Sequence, residues 1–296
     1  MVDSREYQRK RRGSAPHSGH RSHRCRNPFD SGKADAMNAI LKPLFESDET
    51  EASTLYNANG GSEFLLVCEY ASPRLPASLG TLGLKDTQLD GPLAWDIGAV
   101  SVARLLSDRL EAPLIEANYS RLVIDCNRPL DAADSINCRT EWGEIDGNLE
   151  LDPEAVAERI AGVFTPFHDT LRKLIDQRLR ARRPTRLIAL RSFAPSFRGD
   201  ERPWDISLMF DRDARLGHAL QQLLKRDERL QVGINEPQSM DDTNDYTLSQ
   251  HAESRGLPHV GLSIRQDLIT DVAGQKNWAG RLASLLKQAG AGLKDV

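Results

Sequence analysis

From about residue 63 onward, short apolar runs alternate with stretches whose apolar positions recur at helical spacing. FLLVC (64–68) has the length and unbroken apolarity of a strand buried on both faces. AWDIGAVSVARLLSDRL (94–110) sets Ile97, Val100, Ala103, Leu106 and Leu110 on one side of a helix, and APLIEAN (112–118) follows as a second strand. A long helix is expected over about 153–180. The strands RLIALRSF (186–193), DISLMF (205–210), QVGIN (231–235) and HVGLSIRQ (259–266) come next, and a last helix near 274–289 aligns Trp278, Leu282 and Leu285. Strands that alternate with helices predict an α/β fold of three layers, a mainly parallel, mixed sheet with helices on both faces.

Polar residues gather where these strands end, and open α/β sheets bind ligands at that edge. Glu69 and Tyr70 follow FLLVC, and NYSRLVIDCNRP contributes Arg121, Asp125, Asn127 and Arg128. Arg191 lies in RSF, Asn235 and Glu236 in INEP, and Arg265 with Asp267 in IRQD. Two readings follow. The arginines either neutralise Asp125, Glu236 and Asp267 in a network that holds the fold, because buried charges must be paired, or they line a pocket for a carboxylate or other small anion. A guanidinium left facing a cavity separates the two.

Composition narrows the partners. The 296 residues are 39% hydrophobic and 28% charged, an ordinary balance for a globular protein, and the net charge of -4 gives no whole-chain attraction to nucleic acid or membranes. No apolar run reaches the roughly 20 residues of a membrane span. Cys25, Cys68, Cys126 and Cys138 form no CxxC pair, and two of them sit in apolar runs suited to reduced thiols, so a reducing cytoplasm is the expected location. Residues 1–36 contain RKRRGSAPHSGHRSHRCR and almost nothing apolar. They read as a disordered basic tail ahead of one folded domain over 37–296. That tail is the only segment suited to nucleic acid or an acidic partner, and its His17, His20, His23 and Cys25 lack the context of a structural zinc site.

LLVCEYAS, LAWDIGA, YSRLVIDCNRP, PFH, RSFAP, NEP, DYTLSQHAESRGLP and IRQDLI followed by GQKNWA resemble, in the same order, segments of the N-formylglutamate amidohydrolases. The resemblance spans about residues 63–286. It implies a fold like that of the zinc exopeptidases and phosphorylase-like hydrolases, and an ancestral hydrolysis of the C–N bond of an N-acyl amino acid on zinc.

Departures from that family's pattern fall where the resemblance implies metal ligands or their helpers. Tyr70 and Pro92 stand in place of histidines, Arg191 replaces the histidine of a His-Ser-Phe motif, and Ser263 replaces a glutamate base. Proline offers a metal nothing, and arginine cannot lose its proton to become a ligand. Serine is a weak base without a partner. Among the other histidines, His168 matches the family's own in PFH, whereas His218, His251 and His259 read as surface or capping residues.

The expectation is therefore an amidohydrolase-like protein without bound zinc or other cofactor. It would bind a small acidic ligand of N-acyl amino acid type through Arg121, Asn127, Arg128, Asn235 and Arg265, supported by Asp96, Asp125, His168, Glu236 and Asp267. Arg191 would supply the missing positive charge by pairing with Glu69. An active amidohydrolase using another ligand set, and a partner- or nucleic-acid-binding module acting through the tail, are the alternatives.

Overall fold

The computed structural model describes residues 43–140 and 143–293; the expected basic tail lies outside them. The apolar runs form one mixed sheet. Its strands are Ser53–Tyr56 (β1), Phe64–Cys68 (β2), Leu114–Ala117 (β3), Arg186–Phe193 (β6), Ile206–Met209 (β9), Val232–Ile234 (β10) and His259–Arg265 (β11). Two small ribbons, Arg139–Thr140 with Gly143–Glu144 (β4, β5) and Ser196–Phe197 with Asp200–Glu201 (β7, β8), stand apart from it. The order across the sheet is β1-β3-β2-β6-β11-β9-β10. Strands β3, β2, β6 and β11 are parallel, β1 and β9 join antiparallel, and β10 runs parallel to β9.

Strand parity divides the core. Phe64, Leu66 and Cys68 of β2 enter one hydrophobic layer while Leu65 and Val67 enter the other, and Ile188 and Leu190 against Leu187 and Ala189 do the same in β6. The first layer is closed by the helices Ala99–Leu110 (α1), Arg215–Leu224 (α4) and Val272–Ala291 (α6). On the second lie Pro153–Arg159 (α2), Thr165–Arg180 (α3) and Tyr246–His251 (α5), with Phe167, Leu171, Ile175 and Leu248 against the sheet. A sheet covered on both sides explains why β2 and β6 are buried at every position.

Details depart from the sequence pattern. Helix α1 starts at Ala99, so Ile97 precedes it, and the buried stripe runs through Ala99, Val102, Ala103, Leu106 and Leu110 with Val100 only half-buried. Gly98 sets that start. It has φ 79°, and a Cβ there would lie 2.3 Å from the Ile269 carbonyl oxygen. In α6 the stripe continues from Leu282 to Leu286 rather than Leu285, as a four-residue step requires. The long helix expected over 153–180 is α2 and α3 joined by a π-helical turn, Ile160–Phe164.

Cys68 and Cys126 are free, and burial raises both thiols well above their ordinary pKa. Cys138 is disulfide-bonded, which the cysteine spacing does not reveal. Among the described residues, no helix is long and apolar enough to cross a membrane.

Gly98→Ala should lower stability by at least about 2 kcal/mol in urea denaturation, because the new methyl meets backbone and the left-handed conformation disfavours a side chain.

Candidate functional site

Strand register brings the first site residues together. Val67 pairs with Ala189 across β2 and β6, so Glu69 and Arg191, two residues further along each strand, fall side by side on the α3 and α5 side of the sheet. Arg191 is also in register with Ser263 of β11, and Ser263 with Ser207 of β9. Asp245, the N-cap of α5, reaches the same place while its other oxygen accepts from the Leu248 N–H. Arg191 Nη2 and Nε donate to Glu69 at 2.8 and 3.3 Å, and Nη1 donates to Asp245 at 2.5 Å. All three side chains are buried. Burial by itself would depress the Arg191 pKa, but attraction to Asp245 and Glu69 outweighs it and leaves the guanidinium held well above its ordinary value.

Tyr70 forms a second group. Its hydroxyl donates to Asp125 at 3.0 Å, and the Arg121 guanidinium carbon lies 3.8 Å from the ring centre, a cation–π stack. Arg121 Nη2 donates to Asp96 Oδ1, and Asp96 Oδ2 accepts the Ser192 N–H at 2.6 Å. The buried Nε of Arg121 has no hydrogen-bond partner. Burial lifts the Asp125 carboxyl above the usual range and the Tyr70 phenol well above its own.

These groups meet at a cavity of about 680 Å³ beyond the C-terminal ends of β2 and β6. Tyr70, Asp96, Arg121, Arg191 and Ser263 line it, as sequence reasoning grouped them, and so does Pro92. Gln266, Ser192, Met209 and the arginines Arg139, Arg198 and Arg202 also line it and escaped that reasoning. Gln266 sits one residue past the named Arg265; the three arginines lie near the small ribbons, whose short strands leave no periodic signal. Five arginines and one aspartate line the cavity of a chain whose net charge is -4.

The remaining expected ligand residues are not among the lining residues, and their polar groups are engaged by the protein itself. Arg128 bonds the carbonyl and side chain of Asn244 and pairs with Asp134. Arg265 is held by Asp267, Asp205 and the carbonyls of Pro203 and Trp204. Asn127 accepts the Thr247 N–H, and Asn235, at φ 54°, bonds both backbone groups of Phe210. These four clamp loops. Of the supporting residues, Asp96 and Asp125 hold Arg121 and Tyr70 as described, Asp267 serves Arg265, and the Glu236 N–H donates to Ser207 Oγ. His168 bonds the Cys126 carbonyl through Nε2 and meets His251 Nε2 at 3.0 Å through Nδ1, the two rings stacked. Among the described residues read as surface or capping histidines, His218 is exposed, whereas His251, in the last turn of α5, and His259 are buried.

The comparisons with known proteins agree with this architecture. A family model described as N-formylglutamate amidohydrolase matches residues 62–270. The chain belongs to the N-formylglutamate amidohydrolase family. A crystal structure of an Agrobacterium tumefaciens gene product is 36% identical and superposes with a TM-score of 0.82, covering 85% of this chain and 100% of that one. The N-formylglutamate amidohydrolase of Ralstonia eutropha shares the fold at 18% identity and a TM-score of 0.66, over 82% of this chain and 98% of its own. No curated protein matches the chain.

The zinc implied by the resemblance does not fit the residues present. Glu69 is engaged by a buried cation, Tyr70 is tied to Asp125 and Arg191 has no lone pair to give. Among the described residues, no three His, Cys, Asp or Glu side chains converge as a metal would require.

Two measurements test this electrostatic reading. Arg191→Met strands two buried carboxylates and should cost about 3–5 kcal/mol, with Glu69→Gln in the same chain recovering part of the loss in a double-mutant cycle. The histidine pair gives a pH effect. Burial lowers His168 to about 3 and His251 to about 4, from an ordinary value of 6.5. Folded imidazoles that refuse protons stabilise the chain above pH 6.5, and that stability is lost as pH falls towards 4. Replacing both by Gln should flatten the stability profile between pH 7 and 5 by about 1 kcal/mol per pH unit or more.

Proposed function

We propose that this family member binds a small acidic ligand of N-acyl amino acid type in the cavity without a catalytic metal, and that its hydrolytic activity is weak or lost. One observation carries the reading: every nitrogen of Arg191 is bonded to Glu69 or Asp245, while the neighbouring Arg121, 22% exposed against 8% for Arg191, lines the cavity with Asp96 as its carboxylate partner. Arg191 then has a structural task and Arg121 the recognition task. Asp96 and the Tyr70 ring fix the Arg121 guanidinium from two sides, so little side-chain freedom remains to be lost on binding. Asp96 neutralises part of its charge, and the other arginines of the lining restore a positive surface.

Hydrolysis lacks its usual parts here. Ser263 is buried beside Arg191 in the register, a cation that cannot accept its proton. The buried carboxylates are committed, Glu69 and Asp245 to Arg191 and Asp125 to Tyr70.

The test uses the full chain purified without chelator. Zinc should remain far below one per chain by elemental analysis, and N-formylglutamate should raise the melting temperature without being consumed. Arg121→Gln should weaken that binding by about tenfold or more, the scale of one charge-assisted hydrogen bond. Stoichiometric zinc, or turnover of the compound, would favour an active amidohydrolase instead.

A further inference from the structure

The cavity is large for the ligand class just proposed. At about 680 Å³ it falls in the range of sites that enclose drug-sized molecules, whereas a formyl group adds only a carbon and an oxygen to an amino acid. Its lining is also mixed. Arg121 bonds Asp96, and Asp96 and Gln266 both bond Ser192, which makes one connected polar group; Pro92, Leu93, Phe193, Met209 and Pro237 add apolar surface. A pocket built only to grip a small dicarboxylate gains nothing from that much apolar lining.

The mouth carries a further feature. Phe197, on the ribbon β7–β8, lines the cavity and is 43% exposed, one of few large apolar side chains left in water among the described residues. The guanidinium carbons of Arg198 and Arg202 lie 5.2 and 5.0 Å from its ring centre. The ribbon is tied at its base by the Arg202 N–H to the Pro195 carbonyl. An aromatic ring held in solvent by two stacked cations is exposed apolar surface that a bound molecule can cover.

Resting on the anion-pocket reading above, we infer that the ligand is an acidic amino acid whose nitrogen bears an acyl group larger than formyl, an aryl or medium-length alkyl acyl group. Its carboxylate lies at Arg121 and its acyl group runs along the apolar wall to Phe197. The two ends contribute differently. The carboxylate supplies orientation through charge, and the acyl group supplies affinity in proportion to the apolar area it removes from water.

Calorimetry on the full chain with N-formylglutamate and N-benzoylglutamate tests this. N-Benzoylglutamate should bind at least about tenfold more tightly, a difference that a buried phenyl group readily supplies. Phe197→Ala, on an exposed ribbon, should remove most of that difference by weakening N-benzoylglutamate far more than N-formylglutamate; Arg121→Gln should weaken both compounds. Equal affinity for the two overturns the inference and leaves the anion pocket standing. A preference for the benzoyl compound that survives Phe197→Ala, or affinities for both compounds that are unchanged by Arg121→Gln, overturns the assignment of its two ends. Binding of neither compound removes the anion-pocket reading and this inference with it.

Discussion

A guanidinium buried at the ends of parallel strands has to be matched by carboxylates, and that requirement organises this structure. Arg191 is placed by β6, Glu69 by β2 and Asp245 by the start of α5. None of the three would be tolerated where it stands without the others, because an isolated buried charge costs several kcal/mol even after relaxation. The triad therefore ties two strands to the helix above them. It lies beside a second cation, Arg121, which lies over the same Tyr70 ring and is held by Asp96 and Asp125.

Tyr70 turns this into a site. A histidine at that position could not both reach Asp125 with a hydroxyl and offer Arg121 a six-membered ring. The tyrosine does both, so one side chain links the carboxylate behind the cavity to the guanidinium that lines it. The carboxylates Glu69, Asp125 and Asp245 are absent from the cavity lining, whereas the arginines are present in it. A region with abundant acid can in this way present a basic surface.

The middle of the sheet was readable because β2 is apolar throughout, the later strands are mostly so and the helices carry a four-residue stripe, whereas the partly exposed β1, STLY, carries no such signal. β2, β6 and α1 follow from those patterns alone, apart from the start of α1, which depends on a contact between Gly98 and Ile269 some 170 residues away that no local pattern contains. The pairing of Glu69 with Arg191 was legible because both follow apolar strands that the family resemblance made neighbours. The separation of Arg121 from Arg128 and Arg265 was not. Each has an aspartate within four residues in the sequence, and what distinguishes them is whether a remote loop supplies carbonyl acceptors, as Asn244 does for Arg128 and Pro203 for Arg265. Asp245 was missed for a related reason: an aspartate at the start of a helix is expected to cap it, and here it caps α5 with one oxygen and binds Arg191 with the other.

Replacing a metal-site histidine by arginine changes what such a site can do while preserving what it holds together. A bound zinc and a guanidinium both satisfy converging acidic groups, but a metal keeps an open position where a water or substrate oxygen can be polarised. Arg191 has each nitrogen bonded to Glu69 or Asp245, and a guanidinium offers no coordination position of that kind. It is also part of the chain, so the charge that holds β2, β6 and α5 together cannot dissociate. On the proposed reading the exchange favours a permanently assembled pocket over a reactive one, and recognition falls to Arg121, the more exposed of the two cations.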